Sequence, residues 1–400
     1  MKRAIQKSNK PSVCIITLPG RSPIKPPSLT HVIESLQPLS SEVFALTGEF
    51  PQSPDENIHI VNLKSRKLYS TKRKVTVWGR AARYILFQLE LSLAWLKVAG
   101  KIDIAMFYTG ARMSILPILL AKLLRKKVVV FANGSIAQDF KLAYGKRLFG
   151  AGVILSYLAG ALENTGYSLA DRVVVDFECV IRLFRLEKYR KKISVGLAPY
   201  IDTNAFRITK KPNERRNVIA YIGRLEMPKG IMNFVKAALL LLEKENNLEF
   251  LIAGHGSMFS EVAAELRKNA ASSRVQITEA IPHEQIPHYL NEVKLLVFPS
   301  FNREGGAGIV KEGMSCGAVV VAPPVGGVPD LLKDGETGFI LRDNSPECIA
   351  EGVSRALECQ KLEEIAENAR LVIERGYTYE AVMANFQSAL RDLTGSDKQR

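Results

Sequence analysis

Four hundred residues, 47% hydrophobic and 24% charged, suffice for two buried cores, and no fixed-period repeat or long low-complexity tract marks the chain as fibrous or disordered. The formal net charge of +15 is uneven: residues 1–200 hold 31 Lys/Arg against 13 Asp/Glu, and residues 201–400 hold 24 against 27. The positive excess therefore belongs to the first half and points to an anionic partner there, a membrane leaflet, a phosphorylated acceptor or nucleic acid; no zinc spacing or RNP-like aromatic run supports the last.

The amino-terminal MKRAIQKSNKPSV is basic, but the apolar stretch Val13 to Leu18 is shorter than a signal peptide's, so secretion is not expected. Cys14, Cys179, Cys316, Cys348 and Cys359 are odd in number and lack CxxC spacing. They predict neither a disulfide framework nor a zinc site, and a reducing cytoplasmic setting is expected. Short β-branched runs predict strands at Val13 to Leu18, Ser41 to Thr47, Ile102 to Tyr108, Lys127 to Ala132 and Asp171 to Asp176. The loop after the first of these, LPGRSPIKPPSLT, holds Gly20 and several prolines.

A helix is predicted after TKRKVTVW, with Arg80, Arg83, Glu90 and Lys97 on one narrow stripe and nearly all other positions to Val98 apolar. Two readings stand: a core helix with one wet edge, or, joined to the basic run Lys64 to Lys74, a surface resting on anionic lipid. Its uninterrupted apolar part is too short to cross a bilayer.

The polar stretch DTNAFRITKKPNERR lacks apolar periodicity and reads as a linker, residues 201–216. A second strand series follows at Asn217 to Gly223, Leu248 to Gly254, SRVQIT, Val293 to Pro299 and Ala318 to Pro323. Strands alternating with helices in both halves predict an α/β chain: a basic first domain over 1–200, a second domain over 217–375, and a tail over 376–400 whose YTYEAVMANFQSALRDL has helical spacing.

Chemistry concentrates in the second half. VKLLVFPSFNREGGAG reads as a strand and loop, and GIVKEGMSCG as a short helix ended by Gly317. The turn Gly305, Gly306, Ala307, with Gly308 after it, offers unpaired backbone NH groups at a helix start, a ready seat for a phosphate. Glu304 precedes that helix and Glu312 lies just over a turn inside it. Ionised carboxylates at this spacing can grip different parts of a polyhydroxylated ligand, or can be solvated charges flanking a turn. Upstream, YIGRLEMPKGIMNF places Arg224 and Lys229 after Gly223, at the carboxyl end of a strand where α/β folds bind ligands. Two cations there suit a diphosphate. A third turn, AGHGS, holds Gly254 and His255, for which a local backbone role is also open. No GxGxxG follows the first strand, which disfavours a dehydrogenase.

These motifs, GR-(four residues)-KG at Gly223 to Gly230, AGHGS, and FPS-(three residues)-EGGAGIVKEGMSCGAVVVAPPVGGVPDLLKDGETGFIL, together with KKISVGLAPYIDTNAF, resemble retaining nucleotide-sugar glycosyltransferases of family 4. The resemblance is dense from about Lys192 to Leu341 and thin before it. It implies the GT-B fold: two Rossmann-like doubly wound domains facing across a cleft, with a C-terminal helix crossing back to the first domain. It further implies a metal-independent hexosyltransferase with no bound cofactor, taking a UDP- or GDP-linked sugar as donor. Arg224 and Lys229 would hold the diphosphate, Glu312 the ribose hydroxyls, and Glu304 the transferred sugar beside the backbone of Gly305 to Ala307. Many members carry a histidine after the strand corresponding to KVVVFA; here stand Asn133, Gly134 and Ser135, expected on the acceptor side with Gly20.

The acceptor is expected to be anionic or lipid-linked, such as a polysaccharide precursor, with the protein peripheral on the inner face of the membrane. Two alternatives stay open: an epimerase or phosphorylase on the same fold, and an inactive membrane-associated sugar-nucleotide binder.

Overall fold

A computed structural model describes residues 10–17, 27–48, 50–53, 55–63, 77–108, 113–135, 137, 151–197, 199–269, 273–301 and 307–394. The chain divides into two compact units, the first holding residues up to Asp176, Phe184–Pro199 and the stretch from Val382, the second Phe177–Leu183 and Tyr200–Ala381.

In the first unit, strands β1 (Val13–Ile16), β2 (Val43–Thr47), β3 (Ile58–Asn62), β4 (Ile104–Phe107), β5 (Lys127–Phe131), β6 (Arg172–Val175) and β7 (Ile193–Val195) form one sheet in the order β3-β2-β1-β4-β5-β6-β7. All neighbours pair in parallel. A parallel sheet needs a crossover for each strand, and both its faces end up covered, which is why β1, β2 and β4 are fully buried and, but for Thr47 at the end of β2, apolar. The described helices of this unit include α1 (Pro27–Leu36), α2 (Val77–Ala99), α3 (Ile115–Leu123) and α4 (Ala151–Leu169).

Helix α2 departs from the core-helix reading on its outer side. Phe87, Leu91, Trp95 and Ala99, spaced four apart, form its buried stripe. Each large side chain there contributes about 1.5–3 kcal/mol by leaving water. The opposite face is not a wet edge: Ile85, Leu86, Leu89, Leu93 and Leu96 are each 45–63% exposed. At 100° per residue, Arg83, Glu90 and Lys97 run along one border of that apolar face. The side chain of Arg80 and the run Lys64 to Lys74 lie outside the described residues.

The second unit carries α5 (Cys179–Leu183), α6 (Ile231–Leu242), α7 (Phe259–Arg267), α8 (Ile286–Glu292), α9 (Gly308–Ser315), α10 (Val328–Leu331), α11 (Pro346–Leu357), α12 (Leu362–Gly376) and the start of α13 (Tyr379–Thr394). Its sheet is also parallel, in the order β10-β9-β8-β11-β12-β13, from β8 (Val218–Ile222), β9 (Glu249–Ala253), β10 (Val275–Thr278), β11 (Leu295–Val297), β12 (Val319–Ala322) and β13 (Phe339–Ile340). Phe234, Phe250, Val297, Val321 and Ile349 belong to its continuous core.

Residues 201–216, read from the sequence as a linker, fall in the second unit. Phe206 is buried, and the side chain of Asn291 fixes the segment by accepting from Thr209 N at 2.7 Å and donating to Arg207 O at 2.9 Å. Arg215, 3% exposed, is an internal cation next to the end of the segment. Helical periodicity could not reveal this, because the segment is held by side chain to backbone bonds and not by an apolar stripe. The tail divides within α13: Tyr379 meets the ring of Tyr200 at 5.2 Å in the second unit, whereas Asn385 donates to Gly196 O and Arg172 pairs with Asp392 at 2.8 Å in the first. Residues 395–400 lie outside the described ones.

Candidate functional site

Two loops at the carboxyl end of the second sheet are pressed together. A Cβ at Gly254 would stand 1.8 Å from the carbonyl oxygen of Gly223, so only glycine allows the β8 and β9 ends to meet. Leu225 N then donates to His255 O at 2.8 Å, and Met258 N to Leu225 O at 3.0 Å. Ser257 N and Oγ donate to the carboxylate of Glu226. This is the structural content of the AGHGS turn. Gly254 is buried at the loop contact and the His255 side chain is exposed, so the turn braces the Arg224 loop.

That loop is set by backbone conformation. Tyr221 Oη donates to Arg224 O at 2.6 Å, and its burial pushes the phenol above its ordinary range. A 3₁₀ turn, Met227–Lys229, ends at Gly230 with φ of 72°. A Cβ there would meet Pro299 O at 2.1 Å, so the loop also abuts the end of β11. The result is a cavity of about 160 Å³ lined by Gly223, Arg224, Lys229, Phe298, Gly308 and Ile309. The exposed Arg224 and the half-buried Lys229 share this cavity with the first residues of α9.

Helix α9 is anchored at its far end. Arg215 donates from Nη2 to Cys316 O at 2.7 Å, and Arg370 from Nη1 to Ser315 O at 2.6 Å. Two guanidiniums thus satisfy carbonyls that the helix leaves unpaired and sit at the negative end of its dipole. Among the described residues no side chain caps the other end, where Ala307 is buried and Gly308 lines the cavity. An anion is favoured there by the dipole and by both cations together.

Glu312 is one turn further along α9, with its side chain 16% exposed. Its Oε1 lies 3.0 Å from Nε2 of His283, whose ring is 5.5 Å from that of Phe206. The hydrogen bond to Glu312 raises the pKa of His283 above its ordinary value, against partial burial. Sequence reasoning missed His283, Arg215 and Arg370. HEQ before a helix carries no signal of its own, and the contact with Glu312 forms only once the fold brings them together. Lys311 is also buried, its Nζ 5.2 Å from the centre of the Tyr377 ring.

Glu304, Gly305 and Gly306 lie outside the described residues, as does Gly20. On the first unit, Asn133 Nδ2 donates to Asp176 at 3.2 Å, and Ser135 Oγ to Glu163 at 3.1 Å; Gly134 lies between them. Both carboxylates are buried, a feature the sequence did not disclose. The group after β5 is therefore an ordered polar cluster at the carboxyl ends of β5 and β6. A larger cavity of about 570 Å³ in the second unit lies at the opposite, amino ends of β8, β9 and β10, beside the Arg216–Glu249 pair. Parallel sheets bind ligands at their carboxyl ends, so the smaller cavity is the candidate.

Comparison with known proteins gives the region a family. Residues 202–372 match the family model for glycosyl transferases group 1. An alpha-D-kanosaminyltransferase of Streptomyces kanamyceticus is 30% identical over 179 residues, 44% of this chain and 46% of that protein. The chain spans about half the length, or less, of several curated relatives it matches. Among solved structures, a sucrose-phosphate synthase from Thermosynechococcus elongatus aligns with a TM-score of 0.74 at 15% identity, covering 97% of this chain and 100% of that one. Anabaena HepE in complex with UDP aligns at 0.70, also at 15% identity, covering 95% and 100%. The chain has the GT-B fold, and residues 202–372, which carry the Arg224 to Lys229 loop and helix α9, match the group 1 glycosyl transferase model.

Proposed function

We propose that the protein is a retaining hexosyltransferase that moves a sugar from a UDP- or GDP-linked donor to an acceptor. The observation that carries this is the convergence of Arg224, Lys229 and the uncapped start of α9 on one cavity. A diphosphate fits that set: two cations and a helix dipole oppose the charge that builds on the leaving β-phosphate as the glycosidic bond breaks. Preorganised donors of this kind act without reorganising during the reaction. In this reading the reaction needs no metal, because the side chains and backbone supply the positive field. Glu312 accepts the ribose hydroxyls through the oxygen that His283 leaves available, and Glu304, placed by the sequence resemblance alone, contacts the transferred sugar. Retention follows if the acceptor hydroxyl attacks from the face the diphosphate leaves, with that phosphate taking its proton. The UDP bound by the Anabaena structure favours a uridine donor.

The first unit, with its basic excess and the Asn133, Ser135, Asp176, Glu163 cluster, would receive an anionic or lipid-linked acceptor, with the protein working at the inner face of a membrane. Thermal-shift measurements with UDP- and GDP-sugars test the donor, since a ligand that binds only the native state raises its stability. Arg224→Ala should weaken nucleotide binding, and Glu304→Gln should abolish transfer while leaving nucleotide affinity largely intact. The opposite pair of phenotypes would overturn the roles. Product analysis decides against an epimerase if a sugar appears on an acceptor and not merely as an altered donor.

A further inference from the structure

Helices α2, α3 and α4 lie side by side, α3 in contact with both others. Gln88 of α2 accepts from Leu116 N of α3 at 3.4 Å, which ties the first pair. Their outward faces are apolar. Leu89 and Leu93 on α2, Leu119 and Leu123 on α3, and Ile154 and Tyr157 on α4 are between 47 and 77% exposed. An apolar area of three adjoining helices exceeds the scattered exposed leucines of an ordinary soluble surface and marks an interaction site.

We infer that this three-helix face seats in the interfacial layer of an anionic lipid bilayer, its apolar side chains entering below the headgroups. The inference deepens the membrane-side acceptor reading, because it replaces a basic surface held by charge with one held by burial. Charge complementarity selects the occupant. Among the described residues of the three helices the acids are Glu90, on the border stripe of α2, and Glu163, which is buried under α4. Lys97 closes α2, and Arg125, Lys126 and Lys127 follow α3, against Asp103 after α2 and Asp171 after α4, the latter paired with Lys122, so cations outnumber acids at the helix ends. Apolar side chains bordered by Lys and Arg are what an anionic interface binds. A second copy of the chain is a poorer fit, since an isologous pairing would bring two equally basic surfaces together. No described helix is long and apolar enough to cross a membrane, so the face lies on the bilayer.

The test is flotation of the full chain with vesicles of phosphatidylcholine alone or with about one third phosphatidylglycerol. Anionic vesicles should carry the protein, and most of it should stay bound at about 0.5 M salt, where charge attraction alone is largely screened. Leu89→Ser combined with Leu93→Ser and Leu119→Ser should lower partitioning roughly tenfold, with an unaltered thermal transition as the folding control. Leu123→Ser, at the most exposed of these leucines, should give a smaller loss. Complete release by salt, equal binding of the triple variant, or no binding at all would overturn the inference. So would a concentration-dependent dimer in sedimentation that the triple variant abolishes. Donor binding is measured separately by thermal shift, so failure of the membrane face and failure of the glycosyl transfer reading are distinguishable.

Discussion

Arg215 shows how a single buried cation can organise a site it does not touch. Its guanidinium donates to Lys210 O at 2.9 Å, Leu290 O at 3.0 Å, Val293 O at 2.7 Å and Cys316 O at 2.7 Å, joining the start of the second unit to α8, to the approach to β11 and to the end of α9. Burial lowers its pKa to about 10, so it remains charged in any physiological medium. Arg215→Ala leaves several buried carbonyls without a donor and should cost about 3 kcal/mol, read as a lower denaturation midpoint. Arg215→Lys should recover little, because an ammonium cannot reproduce the planar fork.

His283 acts at the same scale, with a pH signature. Its folded-state pKa is raised above the ordinary 6.5 by the hydrogen bond to Glu312. A raised value stabilises fully below the unfolded pKa, and the contribution is lost as pH rises through the folded one. The stability difference between wild type and His283→Gln should therefore shrink as pH climbs from about 6.5 upward. Thermal melts across that range check it, and a pH-independent difference would remove the charged pair from the account. None of these partners was legible in the sequence. A lone Arg in a polar stretch and a His in HEQ acquire meaning only from carbonyls and carboxylates many residues distant.

Among elements, legibility followed burial. The central strands β1, β8, β11 and β12 could be read because strands covered on both faces are continuous apolar runs. Strands β3, β7 and β13 escaped, being at or near sheet edges and half-exposed or only two residues long. The same logic explains the cavity. The β8 loop that carries Arg224 and Lys229 was readable because it needs glycines at fixed places, and those glycines make a pattern. Gly230 is the sharpest of them. Gly230→Ala must place a side chain at φ of 72° and against Pro299 O, so the β8 loop would have to pull away from β11. A loss of about 3 kcal/mol in stability is expected. Nucleotide affinity should fall at least tenfold with it, measured by calorimetry, because Lys229 is the preceding residue. Stability loss without loss of affinity would detach the loop from the proposed donor site.

At the scale of the molecule, the last helix belongs to both units. Tyr379 and the rest of the first turn of α13 stay with the second, and the residues from Val382 onward with the first. Val382, Phe386, Ala389, Leu390 and Leu393 are all buried at helical spacing, so the first unit depends on a segment far along the chain from its sheet. Ending the chain after Ala381 would remove those side chains, whose burial at about 1.5–3 kcal/mol for each large one approaches the net stability of a typical domain, about 5–15 kcal/mol. The first unit should then melt well below its full-length temperature or fail to fold. The second keeps Arg215, Arg370, α9 and the Arg224 loop, all of which belong to it. Calorimetry of the shortened chain should therefore show one transition lowered or lost and one retained. A UDP-sugar at roughly a hundred times its dissociation constant should still raise the retained one, by about 2.7 kcal/mol in stability. If the sugar nucleotide instead failed to protect any transition, the donor site would need residues of the first unit, and the assignment of binding to the second unit alone would be wrong.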